Sequence, residues 1–441
     1  MAVPSDVNAI LYPIDAPVDP WNTTAAPAYA RTYQFAGNSQ PSDVSTQFTG
    51  WTAFTEPYKA AVRSVLAEFA AVMNVTFTEV TGSADPDIEL GRVNLSGEAG
   101  QGGFNYSYTT DGQGRVTSKT LDGYAVWLNT LDLTTQDNRN ILLHELGHTL
   151  MLKHPGNYDA GGQPPPGPYS TAIDNNKFTV MSYTVDPDNN LKSDHLMAFD
   201  IAALQQRFGA NMTTNTGNNV YTGPAGGRIQ TIWDAGGIDT FDGSAIAAGV
   251  TIDLREGAFS SMGALNNLAI AYGVVIENAT GGSGADTIRD NVANNTINGA
   301  GGTDTVIFSG LRSAYQLTDL GSGNVKVVGP DGTDTLISVE RLQFDDQTVT
   351  WPPPGAPPLS PIDFNSDGHP DILWQNNNGS ASIWTLGGTN FTGGIPLGND
   401  PGPTWHIKDT ADFNSDGHPD ILWQNNNGAA SIWTLGGTNF T

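Results

Sequence analysis

The sequence predicts a multidomain chain: an α+β domain, then a parallel β-roll carrying antiparallel strands, then a pair of β repeats. Three observations lead there. Residues 31–212 alternate strand-like and helix-like hydrophobic periods. Residues 281–307 divide into nine-residue units with glycine, aspartate and one apolar residue at fixed places. Residues 363–392 recur at 412–441, 49 residues on, with one change, Ser380 against Ala429. The boundaries expected are 1–30 (a lead-in or pro-segment), 31–212, 213–350, a stiff Pro-rich linker WPPPGAPPLSP at 351–361, and 362–441. The second repeat breaks off part-way through its period and reads as incomplete.

In the first domain, strands are expected at 31–35, 75–80, 87–90, 102–108 and 124–128. Residues 56–73 place Tyr58, Val62, Val65, Leu66, Phe69 and Val72 on one helical face. Further helices are expected at 139–153 and 194–208, the latter stopped by Gly209. Residues 306–350 read as ordinary antiparallel strands.

Composition narrows the chemistry. Asp+Glu total 45 against 18 Lys+Arg, a net charge of -27, and 36 of the acids are aspartate. So acidic a chain carries no general nucleic-acid footprint. At 38% hydrophobic it still buries cores, and with no cysteine it has neither disulfides nor thiolate metal sites. No apolar run approaches the roughly 18 residues of a membrane span, and no Sec-type leader is visible.

Three of the seven histidines fall within 11 residues, in HELGHTLMLKH. On a helix, His144 and His148 share a face and aim two imidazoles at one metal, with His154 as a third nitrogen. Glu145 reaches water at that metal without being a ligand, the place of a general base. Three nitrogens leave zinc, the metal this donor set favours, an open position.

The nonapeptides GGSGADTIR, DNVANNTIN and GAGGTDTVI place Ile288, Ile297 and Val306 eighth, and Asp286, Asn295 and Asp304 sixth. This is the GGxGxDxUx frame, in which aspartates of successive turns share a hard cation. A half-copy lies at 233–241. DFNSDGHPD occurs twice with calcium-loop spacing: Asp363, Asn365, Asp367, His369 (by its carbonyl) and Asp371, then Asp412, Asn414, Asp416, His418 and Asp420. Gly368 and Gly417 supply the sharp turns. Position 12 lacks a glutamate, so these are not EF-hands.

HELGHTLMLKHPG, followed by FTVMSY at 178–183, resembles the serralysin branch of the metzincin zinc endopeptidases. The resemblance covers about residues 31–350 and implies an α+β metzincin protease domain ahead of the β-roll and an antiparallel β-sandwich. It implies one catalytic zinc on His144, His148 and His154, Met181 beneath the ligands, and Tyr183 as a movable fifth ligand that also steadies the oxyanion. It implies structural calcium at Asp234, Gly236, Gly237, Asp239, Glu277, Gly282, Gly284, Asp286, Gly299, Gly301 and Asp304, with Asn215, Gly217 and Asn219 in the family's first loop. The final repeats resemble FG-GAP/VCBS blades and imply a partial propeller, with Trp374, Trp384, Trp423 and Trp433 as a contact surface for a carbohydrate or protein ligand.

The function so implied is a secreted, calcium-stabilised endopeptidase of broad specificity, acting as a monomer on extended protein substrates, open to a proteinaceous inhibitor, and exported by type I secretion from a Gram-negative bacterium. The alternative is an adhesive calcium protein whose metzincin domain is inactive or secondary. One departure stands out: Met151 occupies the family's glycine before the third histidine. Either it takes a left-handed conformation, at about 1–2 kcal/mol, or the helix runs longer and Lys153 or His154 makes the turn.

Ten of the 36 aspartates fall at calcium-ligand positions. A chain with charge -27 should therefore expand without calcium and compact with it. Far-UV circular dichroism should change between chelator and millimolar calcium; superimposable spectra would contradict this.

Overall fold

The computed structural model describes residues 5–12, 29–83, 85–113, 116–156, 172–321, 323–352, 362–367, 369–376, 378–398, 401–414 and 416–440. Gly368, most of the 351–361 linker and residues 13–28 of the lead-in lie outside them. The chain forms two compact units, Met1–Pro352 and Pro353–Thr441. The boundary expected at 212/213 falls inside the first unit, where one apolar core runs from Val7 to Trp351.

The first unit begins with a five-stranded sheet. Its strands are β1 (Tyr29–Phe35), β2 (Val75–Glu79), β3 (Ile88–Val93), β4 (Gly100–Thr110) and β5 (Val116–Leu128), in the order β2-β1-β3-β5-β4. β1, β2, β3 and β5 are parallel; β4 runs antiparallel to β5 and forms an edge. Every residue of β3 is buried, as expected of a central parallel strand. Helix α1 (Glu56–Val72) starts with Pro57 in its first turn and buries Val62, Val65, Leu66, Phe69 and Val72 along one stripe.

Two helices differ from the expected bounds. The third, α3, spans Ala198–Phe208 and begins four residues late, because Asp200 turns back to accept the Met197 N–H at 2.9 Å. The second, α2 (Arg139–Thr149), ends four residues short of Lys153. Met151 takes φ 68°, so the reversal falls on it and not on Lys153 or His154. The Leu152 N–H donates to Gly147 O, and the Met151 N–H to His148 O, both at 3.0 Å. These are the paired bonds of a Schellman ending, with methionine where glycine is favoured.

The lead-in is not wholly irregular. Ser5–Ile10 is a 3-10 helix whose Val7 and Ile10 are fully buried. Leu11 bridges to Leu152, and the Lys153 N–H donates to Ile10 O at 2.8 Å. The N-terminal segment thus braces the chain just before His154.

Most of the rest of the first unit is a two-sheet parallel roll, beside a three-stranded sheet of Gln230–Ile232, Leu268–Ile270 and Phe259–Ser260. Thr240–Asp242, Asn278–Thr280, Thr296–Asn298 and Gly332–Ile337 pair in parallel in one sheet. Thr251–Asp253, Thr287–Arg289, Thr305–Ile307 and Arg341–Gln343 do so in the other. Ile252, Ile288, Val306 and Leu342 stack on one side, and Phe241, Ala279, Ile297 and Leu336 on the other; all are buried. Each such aliphatic contributes about 1.5–3 kcal/mol. The reading of 306–350 as ordinary antiparallel strands needs correction. Gln316–Gly321 and Asn324–Gly329 are antiparallel, but Gly332–Ile337 and Arg341–Gln343 rejoin the roll in parallel. The hairpin between them interrupts the nine-residue period and hides the last turn.

In the second unit the strands make two three-stranded antiparallel sheets and a hairpin; the described residues form no closed propeller. One core joins both repeats, from Phe364, Ile383, Ile421, Trp423 and Leu435. Identical residues are buried differently in the two copies. Phe364 and Ile383 are fully buried, whereas their counterparts Phe413 and Ile432 are 43% and 47% exposed. Ile421 is fully buried, whereas Ile372 is 45% exposed. Trp423 also lies in the core and leaves the expected tryptophan surface, on which Trp384 remains exposed.

Met151 is strained but buried, and its side chain contacts Arg207 Nη1 at 3.3 Å through sulfur. Truncating a buried methionine costs about 2–5 kcal/mol, more than the 1–2 kcal/mol of strain that glycine would relieve. Stability should therefore fall in the order wild type, Met151→Gly, Met151→Ala in urea unfolding with calcium present. An M151A variant at least as stable as M151G would refute the strain assignment.

Candidate metal centre

The imidazoles of His144, His148 and His154 converge, one ring nitrogen from each lying within 4.8 Å of the others. All three residues are buried. The Nδ1–H of His144 donates to Val180 O, and that of His148 to Leu152 O, each at 2.9 Å. These bonds fix the tautomer and leave both Nε2 lone pairs facing the centre. His144 Nε2 and His154 Nε2 stand 2.9 Å apart, within hydrogen-bond distance, so the two rings meet edge on at the centre. Burial, then the neighbouring imidazoles, hold His144 well below the usual histidine range, and burial and His154 bring His148 down to about 4. Both are neutral near pH 7, the form that binds zinc.

Glu145 is buried against β4, whose Gly102 N–H donates to it. Burial pushes its carboxyl up to about 8; a dication at the histidines would pull it back down. β4 passes so close that a Cβ on Gly100 would stand 2.8 Å from Glu145 Oε1, and one on Gly102 2.2 Å from Glu145 O. Glycine is required at both by close approach. A Cβ on Gly147 would meet Met181 Sδ at 2.9 Å, so Met181 lies directly beneath the helix between His144 and His148. Tyr183 is 53% exposed and its ring lies 4.6 Å from that of His154.

Sequence reasoning missed Asp200. It is fully buried, accepts the Thr179 hydroxyl at 2.6 Å and the Val180 N–H at 2.9 Å, and so holds the turn whose Val180 carbonyl orients His144. Asp200 lies in the first turn of α3 as it forms but beyond the first turn of the helix expected at 194–208, so no helix-start signal marked it.

The roll brings its predicted loop residues together turn on turn. Asp286 accepts the Gly282 and Val250 N–H groups at 2.7 Å, and Asp304 that of Asp286 at 2.8 Å. Glu277 accepts the Asp239 N–H, and Asp239 that of Asn219, both at 2.7 Å. Asp234 accepts the Gly236 N–H at 2.8 Å. Gly217 O faces Gly237 and Gly284 O faces Gly302, each 2.2 Å from where a Cβ would sit. Gly301 likewise lies over Ser283, and Gly299 beside Asp304. Asn215 instead donates to Trp233 O. Asp239 Oδ2 is buried without a partner.

The sequence reading also missed Asp290, Asp331 and Asp334. GPDGTDTLI at 329–337 fits the nonapeptide frame, and Asp334 Oδ2 and both oxygens of Asp290 are buried without partners. Burial, then Asp331 and Asp334, push Asp290 up to about 9.

In the second unit, Asp363, Asn365 and Asp367 lie together, as do Asp412, Asn414 and Asp416. The N–H groups of His369 and His418 donate to Asp367 and Asp416 at 2.9 Å. Asp371 and Asp420 differ: each spends both oxygens on backbone N–H groups, of Phe364 and Leu386 and of Phe413 and Leu435.

With this geometry in hand, residues 207–320 match the family described as Peptidase M10 serralysin C terminal. The chain is serralysin-like. It is 35% identical over 300 residues to Serralysin G of Dickeya chrysanthemi, 37% over 262 to a Serralysin C of the same organism, and 33% over 291 to Metallopeptidase AprA of Pseudomonas marginalis. These alignments cover 61%, 54% and 60% of this chain and 60%, 55% and 61% of the relatives. The serralysin-like chain thus spans less than two thirds of the curated relatives' length. Residues 363–440 match the FG-GAP-like repeat. No helix among the described residues is long and apolar enough to cross a membrane.

A histidine whose folded pKa is depressed destabilises the native state once the unfolded chain takes up a proton. With zinc removed by 1,10-phenanthroline and calcium retained, stability should fall as pH drops from 6.5 towards 4. His148→Gln should flatten part of that slope in denaturant titrations. An unchanged slope would place the titrating group elsewhere.

Proposed function

We propose that the protein is a secreted zinc endopeptidase, stabilised by calcium, that cleaves extended protein substrates with little sequence preference. The observation that carries this reading is the buried imidazole triad with Glu145 beside it. The expected domains serve it: a metzincin-type α+β domain over 31–212, a calcium roll over 213–350, and the repeats from 362.

Zinc, held by His144, His148 and His154, would supply a Lewis acid that polarises a carbonyl and acidifies water. Glu145 takes the proton of the attacking water and returns it to the leaving amine. Its placement against Gly102 keeps the carboxylate away from bulk solvent. The Tyr183 hydroxyl, on an exposed side chain able to swing, donates to the carbonyl oxygen as charge gathers there. β4 is a sheet edge, and a substrate laid along it would pair through backbone groups alone. Such pairing imposes no side-chain preference, which supports broad specificity.

In the roll, Asp234, Gly236, Gly237, Asp239, Glu277, Gly282, Gly284, Asp286, Gly299, Gly301 and Asp304 would hold calcium, and the DFNSDGHPD loops would hold it through Asp363, Asn365 and Asp367 and their repeats. With Asp371 and Asp420 committed to backbone N–H groups, three side chains and the carbonyl of His369 or His418 form the ligand set we favour. Serralysin relatives support export to a calcium-rich exterior.

Casein hydrolysis by the calcium-loaded chain should be abolished by 1,10-phenanthroline and restored by zinc. Glu145→Gln should lower kcat by about 10²–10⁴-fold, and Tyr183→Phe by about 10²-fold with little change in KM. Equal activity in wild type and Glu145→Gln would end the protease reading in favour of a binding protein.

A further inference from the structure

A second cluster of oxygen donors lies in the first unit, on residues unconnected with the histidines or the roll. Asp43, in the loop after β1, Asp85, between β2 and β3, and Asp122, on β5, each place one carboxylate oxygen within 4.8 Å of the other two. That is the span of three ligands on one calcium ion, at about 2.3–2.6 Å from its centre. Three carboxylates alone are a common surface feature. Here a fourth, Glu89 on β3, is only 2% exposed. Its Oε1 accepts a bond from Gln34 Nε2 at 3.3 Å, and its Oε2 is buried with no partner.

Both oxygens of Asp43 are likewise buried and unpartnered. Glu89 borders the same cleft as Asp43 and pairs in register with Tyr124, two residues after Asp122 on the same face of β5, and the charges of Asp43 and Asp122 act on it. Among the described residues no lysine, arginine or histidine pairs with any of the four; the nearby Arg31 is bonded to Asp87 at 3.1 Å. Asp43 and Glu89 border a cleft of about 370 Å³, which also presents Gln40 and Ser83 and gives water access to the cluster.

Packed carboxylates with no counter-charge are destabilising unless they are protonated or share a cation. Burial, then Asp43, raise Glu89 to about 8, and burial, then Asp43, raise Asp122 to about 6. An all-oxygen, carboxylate-rich set suits a hard cation and leaves the remaining positions to water from the cleft. We propose that Asp43, Asp85, Glu89 and Asp122 form a calcium site that pins the loop after β1 and the β2–β3 loop to the central strands.

The test counts calcium per chain by mass spectrometry on the full protein after gel filtration in calcium, and locates it by anomalous diffraction. Wild type should carry one calcium more than Glu89→Gln or the double variant Asp43→Asn/Asp122→Asn. Amides relieve the repulsion, so these variants should fold without calcium at the site. Crystals grown in calcium should show an anomalous peak among the four side chains. An unchanged count, or no peak there, overturns the proposal and leaves a cluster held neutral by protons. If a variant loses several ions at once through misfolding, the wild-type anomalous peak alone decides.

Discussion

The histidine cluster depends on one backbone reversal. A helix presents two imidazoles from successive turns, but a third must come from chain that has left the helix and doubled back. Met151 makes that reversal in the left-handed region. The same turn exposes Leu152 O to His148 Nδ1–H, so one backbone bend both returns His154 and orients His148. The bend is braced by the N-terminal segment through Leu11 and Ile10, and the opposite wall by Asp200 through Val180. Residues far apart in sequence thus converge on three nitrogen atoms.

The acidity of the chain resolves into carboxylates in different circumstances. Asp371 and Asp420 are satisfied by backbone N–H groups and act as turn staples. Asp286 and Asp304 cap the loops of neighbouring turns. Asp239, Asp290 and Asp334, and in the sheet domain Asp43 and Glu89, keep buried oxygens with no partner. An unpaired buried carboxylate costs several kcal/mol, so this last group is where cations and protons act on the fold. Net charge does not distinguish these environments; the partners of each oxygen do.

What was legible in the sequence was what repeats or keeps strict spacing. The i, i+4 histidines and the nonapeptides are local patterns, and His144 and His148 share a helix and Ile288 and Val306 a sheet as those periods require. Asp200 was not legible, because its partners Thr179 and Val180 come from a separate loop. Nor was the last turn of the roll, because the hairpin at 316–329 separates Leu336 from Ile297 in sequence but not in space. The early end of α2 could be posed as a choice between residues, yet the bend is held by a local bond from Leu152 to Gly147 and a tertiary bond from Lys153 to Ile10 that the local pattern does not show.

The two terminal repeats show how far identity of sequence falls short of identity of environment. Phe364 and Ile383 of the first copy pack with Ile421 and Trp423 of the second, while Phe413, Ile432 and Ile372, the counterparts of three of them, are exposed and Trp374 is half-buried. A contact made by the front of one unit against the back of the next has no twofold axis. It is heterologous, and unlike a symmetric pair it does not exhaust its own surfaces. Each repeat therefore has a direction, and a substitution written identically into both copies alters a core in one and a surface in the other.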